Sequence, residues 1–218
     1  MPDWFPDWSH RVVAIVASGP SAKKEDLEQL RGRVAMLAIK ANVELAPWAD
    51  AVYGCDFAWW KHKKGLADFR GLKVAWDEKV IARYPDIRRI GIETSQDRVY
   101  PIDNRHYRMV FDHPGTLGNG GNSGYQALNL AVQFGARRIL LIGFDMHDRG
   151  GAHWYGRNHW DRCGNPDEGS FRRWLKAFDV AAADLEERGV QVINVSPLSA
   201  LTCFRRGTIN GALDGWGI

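Results

Sequence analysis

The sequence alternates short apolar segments with longer polar or amphipathic ones, and this alternation restricts the possible folds more than any other feature. The first apolar segment, residues 11–18 (RVVAIVAS), is rich in valine and isoleucine and ends at a Gly-Pro-Ser turn. Uninterrupted apolar runs of this kind are typical of strands buried on both faces. Repeated strand–helix units predict an α/β fold, a Rossmann-like and mostly parallel sheet with helices on both faces.

The remaining elements follow from hydrophobic periodicity and from the Gly and Pro residues at its breaks. We predict further strands over residues 34–39, 51–53, 72–76, 89–92, 138–142 and 190–194, and helices over residues 23–31, 57–62, 125–134 and 170–188. Ser21 is the predicted N-cap of the first helix and Ser170 that of the last. Because 218 residues suit one domain, we expect a single domain over 1–218. Its core would span 11–201, followed by a C-terminal tail over 202–218.

Composition narrows the classes of function. The 29 basic and 26 acidic residues give a net charge of +3, which is too small to favour duplex DNA binding. No apolar run reaches the roughly 18 residues of a transmembrane helix, and the N-terminus lacks the pattern of a secretory signal. Three cysteines make no disulfide framework and fit a reducing compartment. We expect a cytoplasmic protein that binds small molecules, and the sequence is compatible with a homo-oligomer.

Small and polar residues follow the predicted strands where parallel strands end. They are Gly19, Pro20 and Ser21 after the first strand, Asn42 after the second, Asp56 after the third, and Gly143 and Asp145 after the strand over 138–142. Right-handed crossovers bring the carboxyl ends of such strands to one edge of the sheet, where ligands bind. We therefore expect these residues to share a cleft.

The first of these turns suits a phosphate, because glycine allows close approach and a helix N-terminus offers N–H groups. It is neither a G-x-G-x-x-G fingerprint nor a Walker A loop, which argues against an ordinary NAD enzyme and a P-loop ATPase. Taken alone, a plain turn capped by serine is the simpler interpretation. Asn42 could read a base or a sugar hydroxyl, although a turn asparagine is again simpler.

A second phosphate-binding candidate is the loop over residues 118–124 (GNGGNSG), which abuts the predicted helix over 125–134. Glycine and asparagine tolerate a left-handed backbone, and consecutive N–H groups can form an anion nest. Asn122, Ser123 and Gly124 would then contact a phosphate or ribose at the helix start. The alternative is a flexible connection.

The polar loop over residues 146–169 concentrates histidines. Loops of this length in compact domains tend to be functional, and a histidine suits a general base because its pKa lies near neutrality. One alternative is a zinc site, although the spacing matches no short zinc motif; its ligands would be His147, His153, His159 and Cys163. Solvent-exposed histidines without a chemical role are the third interpretation.

In their order and spacing, these motifs resemble bacterial sialyltransferases of glycosyltransferase family 42. The resemblance covers residues 11–201 and adds to the motifs above the strand and turn over 139–145 (ILLIGFD) and the segment over 194–197 (NVSP). It extends to archaeal-type hydroxymethylpterin pyrophosphokinases and to phage proteins of similar length. On this basis we expect a phage or bacterial protein.

The resemblance implies a Rossmann-like fold that binds a CMP-sugar donor and needs no metal. The residues that would hold the nucleotide are Gly19, Pro20, Ser21, Asn42, Asp56, Ser123, Gly124, Gly143 and Asp145. In the family, tyrosines steady the departing phosphate and a histidine deprotonates the acceptor hydroxyl. These roles would fall to Tyr155 and to His153 or His159.

The chain departs from the family in being shorter and in its first loop, where Ala17 and Ser18 replace the usual Gly-Asn before Gly-Pro-Ser. Nucleotide binding is therefore a broader expectation than sialic acid as the sugar. Besides a nucleotide-sugar-dependent glycosyltransferase, two hypotheses stay open. A pyrophosphokinase-like phosphotransferase would need ATP and Mg²⁺, with Asp56 and Asp145 as metal ligands. A non-catalytic accessory protein would bind a nucleotide and would not need the histidines.

Overall fold

The predicted strand–helix alternation is present in the structure, a computed structural model that describes residues 1–93, 108–159 and 163–218. The strands are β1 (Val12–Val16), β2 (Ala35–Ile39), β3 (Ala51–Gly54), β4 (Leu72–Ala75), β5 (Arg88–Arg89), β6 (Gly91–Ile92), β7 (Thr116–Leu117), β8 (Arg138–Ile142), β9 (Gln191–Asn194) and β10 (Arg205–Arg206). The helices are α1 (Lys24–Glu28), α2 (Phe57–His62), α3 (Glu78–Arg83), α4 (Ser123–Gln133), α5 (Glu168–Glu187) and α6 (Ile209–Trp216), with a 3-10 helix at Lys40–Glu44. Within the described ranges, no helix is long and apolar enough to cross a bilayer.

The main sheet has eight strands in the order β10-β9-β8-β1-β2-β3-β4-β5, and a small second sheet pairs β6 with β7. The strand pairs of the described chain are all parallel. From β1 the chain extends the sheet in one direction to β5, and from β8 it extends the sheet in the other direction to β10. The winding reverses between β1 and β8. Open α/β sheets bind ligands at such a reversal, outside the carboxyl ends of the strands.

Each face of the main sheet has its own hydrophobic core. Val13 and Ile15 pack into the cluster that contains apolar residues of α4 and α5. Ala14 and Val16 point to the opposite cluster, which contains residues of α1, α2, α3 and α6. Every residue of β1 is at most 2% exposed, as the uninterrupted apolar run requires. The predicted α/β sheet with helices on both faces is confirmed.

Short elements are where the structure differs from the predicted boundaries. The segment predicted as one strand over 89–92 is divided, because β5 pairs with β4 whereas β6 pairs with β7. The predicted tail also takes part in the fold, since β10 pairs with β9 and α6 buries Ala212 and Leu213. The packing therefore continues past residue 201. Two-residue strands carry almost no periodic signal, which explains why the sequence does not reveal them.

The predicted helix caps at Ser21 and Ser170 are wrong. Helix α1 begins at Lys24, and the residue before it, Lys23, makes no side-chain cap. The five-residue α1 is too short to give this turn the phosphate-binding helix N-terminus that the sequence predicts. At α5 the cap is Asp167, whose carboxylate accepts from the Ser170 amide. In both places the serine donates to a carboxylate, Ser21 to Asp145 and Ser170 to Asp167.

Two glycines allow the ends of β1 and β8 to touch. The Gly19 amide donates to the Gly143 carbonyl at 2.9 Å, and a Cβ on Gly19 would lie 2.5 Å from that same oxygen. Gly143 has a left-handed backbone with φ of +72°, and a Cβ there would collide with the Ala17 carbonyl oxygen. Any side chain at either position would force the two strand ends apart.

We predict that Gly143→Ala destabilises the protein by about 2–5 kcal/mol, from left-handed strain plus displacement of the β1 backbone. The matched control is Gly189→Ala, because Gly189 is also left-handed (φ of +66°) but has no atom within 4 Å of a Cβ. That substitution should cost only about 1 kcal/mol. Urea unfolding measures the free energy of unfolding of both variants. Equal losses in the two variants would contradict the conclusion that close packing at Gly143 excludes a side chain.

Candidate functional site

A cavity of about 470 Å³ opens at the reversal between β1 and β8. The loops after β1, β2, β3 and β8 line it, together with the Gly-rich loop before α4 and the first turns of α5. The sequence-predicted residues that it brings together are Gly19, Asp56, Asn122, Ser123, Gly124, Gly143, Asp145, His147, His153, Tyr155 and Cys163. Side chains far apart in the sequence therefore meet at one edge of the sheet.

Four predicted site residues do not line this cavity: Pro20, Ser21, Asn42 and His159. Ser21 instead bonds Asp145, with its amide donating to one carboxylate oxygen at 2.9 Å and its hydroxyl donating to the other. Asp145 is only 4% exposed, and these bonds fasten the turn after β1 to the turn after β8. His159 is exposed.

Asn42 links three segments of the chain from the interior of the protein. It is fully buried, and its amide nitrogen donates to the carbonyls of Val16 and Ile39 at 3.0 and 2.7 Å. Its amide oxygen accepts from the Trp154 indole at 2.8 Å. With both ends of the amide engaged, Asn42 joins β1 and β2 to the late polar loop, whereas a contact with a base or sugar would require it to exchange one of these bonds.

His153 is fixed in the cavity wall by bonds on both ring nitrogens. Its Nδ1 lies 2.9 Å from the Ser18 hydroxyl, and the adjacent Trp154 amide donates to the Ser18 carbonyl at 2.9 Å. The Asn158 side-chain amide lies 3.3 Å from Nε2. Since that amide is the donor, Nε2 is the acceptor and the ring proton resides on Nδ1. The Tyr155 ring stacks on His153 with centroids 4.9 Å apart.

The surroundings of His153 keep it neutral. Burial and the positive charges of Lys40 and Arg157 lower the pKa of His153 from 6.5 to about 4. His153 is therefore neutral throughout the physiological pH range, with Nε2 unprotonated. Burial also raises the pKa of the neighbouring Tyr155, which remains a neutral hydroxyl. Both polar groups of the pair are bonded to the Asn158 side chain, which accepts from the Tyr155 hydroxyl and lies 3.3 Å from Nε2.

Asn158 ties this pair to the rest of the late loop. Its side-chain oxygen accepts from the Tyr155 hydroxyl at 3.1 Å, and its side-chain nitrogen donates to the Gly164 carbonyl at 2.8 Å. Its amide donates to the Asn165 side chain at 2.8 Å. These bonds position Tyr155 and His153, and nothing in the sequence marks Asn158 among the other polar residues of the loop.

The Gly-rich loop places the N-terminus of α4 against the cavity. Asn122 caps this eleven-residue helix by accepting from the Tyr125 amide at 2.9 Å. Gly121 is left-handed, and its carbonyl accepts from the Trp174 indole of α5 at 2.9 Å. The first amides of a helix have no intrahelical partner and carry a partial positive charge. This end of the cavity is therefore suited to an anion.

Lys40 is a cavity residue that the sequence analysis missed. It is the single lysine or arginine in the lining formed by residues 1–93, 108–159 and 163–218, and it forms an ion pair with Asp56. Its backbone is left-handed, with φ of +51°. Nothing in the local sequence signals this conformation, which is uncommon for a residue with a long side chain.

The metal-binding alternatives fit the structure poorly. Among the residues that the structure describes, no three His, Cys, Asp or Glu side chains are close enough to hold a metal ion. The zinc site of His147, His153, His159 and Cys163 is therefore not assembled. The two carboxylates expected to hold Mg²⁺ are engaged, Asp56 by Lys40 and Asp145 by Ser21.

The fold is similar to that of the sialyltransferase CstII from Campylobacter jejuni, whose structure was determined with a substrate analogue, cytidine-5'-monophosphate. The similarity has a TM-score of 0.57 and covers 92% of this chain and 86% of that one. The two sequences are 13% identical, so the likeness shows a shared fold alone. No protein-family model and no curated protein sequence matches the chain.

The lowered pKa of His153 predicts an effect of pH on stability. Between pH 6.5 and about 4 the unfolded chain binds a proton at this residue that the folded chain does not. The free energy of unfolding therefore decreases as the pH falls through this window. His153→Gln should make the decrease smaller, whereas His159→Gln, at an exposed position, should leave it unchanged. Urea unfolding at pH 7 and pH 5 tests this, and equal decreases in wild type and His153→Gln would contradict it.

Proposed function

We propose that the protein is a metal-independent glycosyltransferase that uses a CMP-sugar donor, as sialyltransferases do. The observation that carries the proposal is a neutral His153 in a cavity at the β1–β8 reversal. The fold, which is shared with a sialyltransferase structure that contains CMP, supports it.

The cavity offers separate surroundings for the two ends of a donor. The N-terminus of α4 and the Gly-rich loop suit the phosphate, because their amides and partial positive charge stabilise an anion. His153 and Tyr155 line the same cavity from the late loop. In our proposal the bond that breaks lies between these two groups.

The proposed reaction is a direct displacement. The acceptor hydroxyl oxygen bonds to the anomeric carbon of the sugar while the bond from that carbon to the phosphate oxygen breaks. The electron pair leaves with the nucleoside monophosphate, and the hydroxyl proton passes to Nε2 of His153. Asn158, which gives up its long bond to Nε2, keeps its bond to the Gly164 carbonyl. Charge developing on the phosphate is stabilised by the helix N-terminus.

Phosphoryl transfer of the pyrophosphokinase type has less support. That chemistry needs carboxylates that are free to bind Mg²⁺, whereas Asp145 accepts two bonds from Ser21 and Asp56 pairs with Lys40. Asp145 cannot bind a metal ion without losing its bonds from Ser21, which leaves Asp56 as the one carboxylate of this pair that is accessible.

Donor binding is the first test. Titration calorimetry in EDTA with CMP, UDP and GDP should show a clear preference for CMP. Binding of ATP that requires Mg²⁺, followed by its turnover, would instead favour the pyrophosphokinase hypothesis. Failure of all three nucleotides to bind would contradict the proposed function.

The base is tested by substitution. His153→Gln should lower kcat for sugar transfer about 10²-fold, the lower end of the usual contribution of a general base, because the pKa of His153 is lowered to about 4; CMP affinity should stay nearly unchanged. His10→Gln, at an exposed residue away from the cavity, is the matched control. A loss confined to His159→Gln would show that the other histidine is the base. CMP binding without transfer to any acceptor would support the accessory-protein hypothesis.

A further inference from the structure

Lys40 occupies a conformation that its surroundings must enforce. It directly follows β2 and begins the 3-10 helix with φ of +51°. A left-handed backbone is unfavourable for lysine, and such strain concentrates at binding and catalytic positions. Lys40 is also held between its buried neighbours Ile39 and Ala41, which are 6% and 4% exposed. Of the five non-glycine residues with a positive φ in the described chain, Lys40 and Met146 line the cavity.

The Lys40 ammonium is charged and faces the cavity. Burial lowers the pKa of Lys40, but the Asp56 carboxylate more than compensates, so the pKa is raised overall. The side chain remains 26% exposed, and that of Asp56 remains 47% exposed. An ion pair with this much exposure is weak and can be exchanged for another.

Lys40 also lies near the proposed reacting groups. Its charge is one of the causes that lower the pKa of His153. The other carboxylate of the lining, Asp145, is already bonded by Ser21. The cavity therefore has one lysine whose present partner is an accessible carboxylate, and an anionic ligand could replace that carboxylate.

We propose that Lys40 binds the phosphate group of the nucleotide ligand, and that this phosphate displaces Asp56 from the lysine. The inference deepens the proposed function, on which it rests for the nature of the ligand. Before the ligand binds, Asp56 is the counterion that keeps Lys40 charged and positioned, and it competes with the phosphate for the lysine. An ammonium and a phosphate make a strong, charge-assisted contact.

The experiment compares CMP with cytidine, which lacks the phosphate, by titration calorimetry. Wild type should prefer CMP. Lys40→Met should weaken CMP binding about 10- to 100-fold and leave cytidine binding unchanged. Asp56→Asn should tighten CMP binding severalfold, because the competing carboxylate is removed. Lys61→Met is the matched control, since Lys61 is an exposed lysine of α2 outside the cavity, and it should change neither affinity.

A second variant distinguishes a loss of phosphate binding from a failure to fold. Lys40→Gly suits the left-handed backbone, so it should fold at least as stably as wild type and still lose the preference for CMP. If Lys40→Gly folds and keeps the wild-type ratio of CMP to cytidine affinity, the inference is wrong.

Inorganic phosphate, observed by ³¹P NMR titration, separates the two proposals. Phosphate binding that disappears in Lys40→Gly supports the phosphate site even if wild type binds no nucleotide, in which case the proposed function alone fails. Nucleotide binding with no dependence on Lys40 overturns the inference alone. If wild type binds neither CMP nor phosphate, both are overturned.

Discussion

The contact between the carboxyl ends of β1 and β8 supports the rest of the site. Gly19 and Gly143 bring the two backbones together, and Asp145 then accepts two hydrogen bonds from Ser21. The contact lies where the winding of the sheet reverses, so it forms the floor of the cavity. A parallel sheet leaves a crevice at this place for topological reasons, and the glycines determine how closely its two sides approach.

The late loop completes the cavity because it is fastened to that floor. Ser18 bonds both the His153 ring and the Trp154 amide, and Asn42 bonds the Trp154 indole. The same attachment that buries His153 also removes it from water and lowers its pKa. Positioning and chemical state therefore have one physical origin. Lys40 and Asp56, which form an ion pair, line the same cavity as His153.

The sequence predicts which residues meet at the cavity better than it predicts what each of these residues does there. Loops after parallel strands must meet at one edge, so Gly19, Asp56 and Asp145 could be grouped from strand positions alone. Whether each grouped residue binds a ligand or supports the structure depends on its burial and hydrogen bonds. These are set by partners that are distant in the sequence. Asn42 proved to be an internal link and Ser21 a partner of Asp145. Lys40 was missed because a left-handed lysine has no local signal.

By itself the sequence determined the class of fold, because apolar runs of strand length between helical segments can be buried on both faces only in a covered parallel sheet. It also determined that glycine stands where the ends of β1 and β8 meet. Only the tertiary structure decided that His153 lines the cavity while His159 remains exposed. The two histidines share one polar loop, and long-range bonds from Ser18 and Asn42, which no local pattern encodes, determine which part of that loop is buried.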